Sequence, residues 1–236
     1  MPRSVDTLAA AQLDIVAEVV SVSEAEHALV CPSYYSTDPV LERVFGAMPV
    51  DYWDELGAGL PAETGIFWTG DRVCAESHDA RGLGEIAARL ARKPVLWDNY
   101  PVNDGARGAN FLRIDAFRGR GSELEGLTQA HFVNPMNQCW LSRIPLQSLA
   151  LLYEQGLDYD PDAAFARCAR AQCGEELAAQ LAADRDALQH EGLGALSGAR
   201  LAQMRARYAA FHSPFAQELC EWLNGRYAFD PACLTD

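Results

Sequence analysis

The chain has 236 residues, 49% of them apolar, and carries 19 Lys and Arg against 33 Asp and Glu, a formal net charge of -14. This is enough apolar residue to build a sizeable core, which excludes a disordered chain. With no basic run to track phosphates, the acidic balance also excludes nucleic acid and anionic membrane as expected partners.

In chain order, an apolar run at 28–30 leads into Cys31-Pro32 and reads as a buried strand, and Val40, Leu41, Val44 and Phe45 then mark a helix face. A second strand is expected at 65–68. Leu83, Ile86, Ala87 and Leu90 follow at i, i+3, i+4, i+7, with Arg and Glu on the other positions, so an amphipathic helix is expected there. Pro94 opens a third strand at 95–97. Asn99-Tyr100-Pro101 then forces a turn that leaves Asn99, Asn103 and Asp104 on a loop. A fourth strand is expected at 131–133 and an apolar helix at 144–152. Helical stretches follow at 175–188, 199–211 and 215–223, with the Glu and Arg pairs along 175–207 reading as a solvated face.

Strands alternating with helices imply βα units around a parallel sheet. The strands begin near residues 28, 65, 94 and 130, in steps of 37, 29 and 36. An eight-unit (β/α) barrel of about 250 residues uses about 31 per unit, so four units make about half of one. The rival is a doubly wound sheet. Its nucleotide-binding forms need a Gly-x-Gly-x-x-Gly or Gly-x-x-x-x-Gly-Lys turn, and neither is present. The expected class is therefore α/β: a partial (β/α)8 barrel over 1–170, then an α-helical segment over 171–236.

Each strand end carries polar or aromatic groups: Ser33-Tyr34-Tyr35, Trp68-Thr69-Gly70, Trp97-Asp98-Asn99 with Asp104, and Asn134-Pro135-Met136-Asn137-Gln138. In a barrel these ends share one face, where active sites are built. Trp rings with Asn, Asp and Tyr heads suit a neutral polyol such as a sugar: the ring carries the C–H face, and the amides and carboxylates pair with hydroxyls. Apart from Arg72 no cation sits in these tips, which argues against a phosphorylated ligand. Plainer readings stand beside these. Trp68, Trp97 and Tyr35 would serve as core aromatics, and Asn99, Asp104 and Asn134 as turn residues.

The start Met1-Pro2-Arg3-Ser4-Val5-Asp6 lacks an apolar stretch behind a positive region, and no later window is long and apolar enough to span a bilayer. Seven scattered cysteines, with no Cys-x-x-Cys, read as reduced cytoplasmic thiols. No two of the five histidines lie at zinc-ligand spacing from each other. No metal and no cofactor are expected.

Cys31-Pro32-Ser33-Tyr34-Tyr35, Phe67-Trp68-Thr69-Gly70, the run from Leu96-Trp97-Asp98-Asn99 to Asp104, and Val133-Asn134-Pro135-Met136-Asn137-Gln138 resemble, in order and spacing, glycoside hydrolase family 84. This family holds the bacterial β-N-acetylglucosaminidases and the O-GlcNAcases. The resemblance runs over about residues 5–170, to the helix start at Asp158-Tyr159-Asp160-Pro161, and 175–236 loosely match the helices that follow the family's barrel. It implies a (β/α)8 catalytic barrel and retaining, substrate-assisted hydrolysis. The substrate's 2-acetamido oxygen attacks the anomeric carbon to give an oxazoline, while one of two adjacent aspartates polarises the acetamido N–H and the other acts as acid and then base. By the same matching, Tyr35 would hydrogen-bond the acetamido carbonyl, Trp97 would wall its pocket and Asn99 would steady that end. Asp104 and Asn134 would hold sugar hydroxyls. Cys31 would line the site as an ordinary thiol, with Trp68 and Thr69 in a secondary position.

The chain departs from the family's pattern where the chemistry is. It contains no Asp-Asp, and the pair's place, at the end of the strand before the Cys-Pro motif, would fall before Met1. Asp6 and Asp14 sit in a segment resembling the helix after that strand, and neither matches the role. Tyr34 stands where the family often has Glu and Gly105 where an aromatic often follows, changes expected to bear on aglycone contacts. The implied ligand is an N-acetylglucosamine-containing glycan or glycoprotein. Three arrangements are open: a piece of a complete glycosidase, a half completed by a second chain or copy, or a non-catalytic sugar-binding or interaction domain. A barrel enzyme for another neutral polyol is the remaining alternative.

Overall fold

The computed structural model describes residues 7–230 and 232; Asp6 and Cys233 lie outside the described residues. The chain divides into two compact units, one holding residues up to 99 with 119–132, the other holding 100–118 with the remainder from 133.

The first unit carries α1 (Leu8–Val22), β1 (Leu29–Val30), α2 (Pro39–Phe45), α3 (Tyr52–Gly59), β2 (Gly65–Trp68), α4 (Ala80–Arg89), β3 (Val95–Asp98), α5 (Leu124–Leu127) and most of β4 (Ala130–Val133). Its sheet has the order β1-β2-β3-β4. β1 pairs parallel with β2 (Leu29 opposite Gly65), and β2 with β3 (Phe67 opposite Val95, Trp68 opposite Leu96). Strands laid down in sequence order with no reversal are what a barrel requires, whereas a doubly wound sheet has a switch point.

The expected elements form where local pattern is strong. Ile66, Val95 and Leu96 are at most 1% exposed, the near-continuous burial of parallel strands. The stripe of α4 buries Leu83 and Ile86, and Asp79 caps the helix by accepting from Gly82 N at 2.8 Å. α3 has no such signature and went unforeseen. It lies close against the end of α4, so close that a Cβ on Gly57 would meet the Leu90 carbonyl oxygen at 2.5 Å. Arg92 clamps the neighbouring turn, donating to the carbonyls of Gly57, Leu60, Pro61 and Thr64.

The second unit is helical: α6 (Cys139–Gln155), α7 (Pro161–Cys173), α8 (Glu175–Asp186), α9 (Gly198–Ala209) and α10 (Pro214–Leu223) surround one core that includes Leu141, Ile144, Phe165, Leu181, Met204 and Trp222. Asp160 caps α7, with Pro161 in its first turn, at the expected helix start. α6 begins five residues earlier than its apolar pattern suggested. Its first N–H groups, on Trp140 and Leu141, are received by the carboxylate of Glu218 in α10, a partner invisible to local pattern. The loop 100–118 is held by these helices: Leu112 N donates to Leu188 O, Trp222 Nε1 to Ala109 O and Tyr159 OH to Phe117 O.

The charged stretch after residue 175 is not wholly a solvated face. Asp184 is 8% exposed and accepts from Gln180, Arg207 and Tyr208, while Arg185 reaches buried Asp115. Tertiary neighbours turn these charges inward, where each is paired.

Candidate functional site

Consecutive strand residues point to opposite faces of a sheet, so Trp97 and Asn99 share a face and Asp98 takes the other. On the first face Trp97 Nε1 donates to Asn99 Oδ1 at 3.0 Å, and Asn99 Nδ2 donates to the Val73 carbonyl at 2.7 Å. The indole meets Phe67 edge-on at 5.1 Å, and Phe67 meets Phe132 likewise at 5.6 Å. Trp97 is half-buried, a ring whose orientation is fixed by these contacts while part of it stays exposed.

On the opposite face Asp98 is 1% exposed and accepts from Arg120 at 2.6 and 2.8 Å and from His131 Nε2 at 3.1 Å, with His78 Nε2 at 3.7 Å. Burial alone would raise its carboxyl, but the hydrogen bonds from Arg120 and His131, the nearby His78 and the guanidinium charge hold it far below the usual carboxylate range. Arg120 also donates to the Ala75 and Glu76 carbonyls. Gly119 permits this turn: its φ is +67°, its carbonyl receives His78 N, and a Cβ there would meet Glu76 O at 2.5 Å. In the sequence Asp98 stands only as part of a polar cluster, and nothing there marks Arg120, His78 and His131 as its partners. The one local signal was a carboxylate ending a buried apolar strand, a charge that must find a counter-ion.

The remaining groups of the first unit divide the same way. Tyr35 is half-buried, its carbonyl receiving Thr69 N at 2.9 Å. Its hydroxyl is raised by desolvation, then by nearby Cys31, Cys74 and Asp38, so it remains a protonated donor at neutral pH. Cys31 is exposed, and desolvation of its thiol likewise raises it. Trp68 stands opposite Leu96, on the face away from Trp97, and is 4% exposed with its ring edge-on to Trp53 at 5.4 Å. Thr69 is buried and donates to the Arg72 carbonyl at 3.0 Å. Tyr34 is 2% exposed, its hydroxyl donating to Gly46 O and its ring edge-on to Phe45 and Tyr52. The expectation that Tyr34 bears on aglycone contacts is therefore corrected: the side chain is core.

In the second unit Asp104 is exposed and Asn134 half-buried, each on the loop that follows its strand. Among the described residues, no group of three or more His, Cys, Asp or Glu side chains is arranged to hold a metal ion.

The model of a family described as β-N-acetylglucosaminidase matches residues 3–184. Protein O-GlcNAcase of Mus musculus and that of Rattus norvegicus are each 26% identical over 153 residues, 64% of this chain and 16% of theirs. A solved O-GlcNAc hydrolase of Thermobaculum terrenum, a point mutant, superposes with a TM-score of 0.71 at 25% identity, covering 94% of this chain and 53% of that one. A structure of CpGH84B, at 16% identity and a TM-score of 0.61, covers 90% of this chain and 44% of its own. The chain thus spans about half the length of these solved structures and far less of the curated relatives. The fold is a partial (β/α) barrel followed by helices.

Proposed function

This chain belongs to the β-N-acetylglucosaminidase family, glycoside hydrolase family 84, and we propose that it supplies the sugar-binding part of a retaining, substrate-assisted β-N-acetylglucosaminidase acting on GlcNAc-bearing glycans or glycoproteins. The observation that carries this reading is the half-buried Trp97 indole pinned by Asn99 at one strand end, in the same unit as the protonated hydroxyl of Tyr35.

In this reading Tyr35 donates to the acetamido carbonyl and Trp97 walls the methyl group. Asn99 keeps the indole upright, and Asp104 and Asn134 accept and donate to ring hydroxyls. Trp68 and Thr69 back the wall rather than touch the sugar. The acetamido oxygen attacks the anomeric carbon, and the acid/base aspartates come from outside these 236 residues, which contain no Asp-Asp.

The partner implied is the complementary set of βα units of the same barrel. α1 buries Ala9 and Leu13 but exposes Leu8, Ile15, Val19 and Val22, a second apolar stripe on one helix. β1 is an edge strand with Leu29 exposed, and Phe132 of β4 is exposed too. The cytoplasm fits the six free thiols among the described residues, and no described helix is long and apolar enough to cross a membrane.

The absence of Asp-Asp equally favours a second reading, a non-catalytic sugar-binding domain. Assay of the chain with 4-nitrophenyl N-acetyl-β-glucosaminide, beside titration with N-acetylglucosamine, separates them. We expect binding that weakens about tenfold or more in Asp104→Ala and Trp97→Ala, the loss of one or two polar contacts or a stacking face, with negligible turnover. Adding the complementary barrel units should restore turnover; failure to do so favours the binding domain. Binding that ignores both substitutions would sink both readings.

A further inference from the structure

Between the strand-end loops of the second unit lies a buried pair of amides that the sugar-binding reading leaves unused. Asn103 is 2% exposed and Gln138 is fully buried. Asn103 Nδ2 donates to the Phe111 carbonyl at 2.9 Å and to Gln138 Oε1 at 2.8 Å, and Asn103 Oδ1 accepts from Asn137 N at 3.1 Å. Gln138 Nε2 is buried with no hydrogen-bond partner.

Neither amide is there to start a helix. Gln138 precedes α6 at the capping position, yet its side chain makes no cap, and Glu218 receives the first N–H groups instead. An orphaned buried donor is destabilising, and apolar side chains of the same shape would fill the space without that cost. What apolar residues could not do is fix direction. Asn103 ties the loop that carries Asp104, the very next residue, to the turn that carries Asn134, three residues before Asn137.

We propose that Asn103, held by Gln138, is a positioning residue that sets the spacing of Asp104 and Asn134 and so the chain's discrimination between sugars differing in the configuration of one hydroxyl. This rests on the sugar-binding reading given above. Discrimination follows because a site built to hydrogen-bond a hydroxyl leaves its own polar groups unpaired when that hydroxyl points elsewhere.

The test uses the whole chain and the double variant Asn103→Leu with Gln138→Met, which keeps the branching and chain length of the two side chains and removes the orphaned donor, with Asn103→Ser as a second variant should the first not fold. Affinities for N-acetylglucosamine and N-acetylgalactosamine are measured alongside backbone hydrogen exchange. The preference for N-acetylglucosamine, roughly tenfold or more in the parent chain, should fall to within about threefold. Exchange should quicken at 103–105 and 134–138 and stay unchanged in α7 to α10. A merely structural role would leave the preference intact while the thermal midpoint fell, and that outcome overturns the proposal. If the parent binds neither sugar, the sugar-binding reading fails. Exchange then decides whether Asn103 couples the two loops: unchanged rates at 134–138 refute it.

Discussion

The two carboxylate oxygens of Asp98 accept two hydrogen bonds from Arg120, at 2.6 Å from Nη2 and 2.8 Å from Nε, in a pair whose side chains are 1% and 4% exposed. A fork-to-fork pair so far from water joins the end of β3 to the turn before α5, and it lies on the face of β3 opposite Trp97. Removing the carboxylate strands a buried guanidinium. Asp98→Ala should cost about 3–5 kcal/mol in urea denaturation; a loss under about 1 kcal/mol would show that the pair does not hold this unit.

The same carboxylate makes stability depend on acid. Its folded value lies below the unfolded value of about 3.9, so the unfolded chain binds the proton more readily. Its contribution is full above that unfolded value and drains away as pH falls below it toward the folded one. Urea midpoints of the parent chain should therefore fall as pH drops below about 4, and Asp98→Asn should flatten the fall. Equal slopes in both would contradict the assignment.

Trp68 and Trp97 should answer differently to substitution. Trp68→Ala empties a core position against Trp53 and should cost about 3–5 kcal/mol by urea titration. Trp97→Phe should leave the unfolding free energy from urea titration within about 1 kcal/mol while weakening N-acetylglucosamine binding, because the half-buried ring loses its bond to Asn99. Equal loss of stability in the two would remove the distinction between wall and backing.

Gly57→Ala would drive a methyl group into the backbone of Leu90, which cannot retreat without shifting the end of α4. About 1–3 kcal/mol of destabilisation is expected from such overpacking. Calorimetry showing an unchanged midpoint would mean that α3 and α4 are not packed as described.

Thiol labelling of the native chain should reach the exposed Cys74 and Cys139 first, ahead of Cys31, which is exposed too but whose thiol is raised by desolvation. Cys168 is fully buried, and burial pushes its thiol up to about 11, so it should label only on unfolding. Mass spectrometry of peptides after brief iodoacetamide treatment reads this directly; early modification of Cys168 would contradict its burial.

What the amino-acid sequence determined by itself is the part written in local pattern. The four apolar runs became β1 to β4 and the stripe at Leu83, Ile86 and Leu90 became α4, because burial of a strand or of one helix face leaves its period in neighbouring residues. The family motifs were likewise legible as continuous strings. The pairing of side chains was decided only by the tertiary structure. Asp98 meets Arg120 and His131, which lie 22 and 33 residues away, and Glu218 caps α6 from 78 residues away. Nothing in either partner's neighbourhood announces the other. Tyr34 and Trp68 looked like their neighbours Tyr35 and Trp97 in sequence. The alternation of the strand set Trp68 against Trp97, and the packing of α2 and α3 drew Tyr34 into the core. Which face a residue takes depends on which strand lies beside it, and register is a property of the folded sheet.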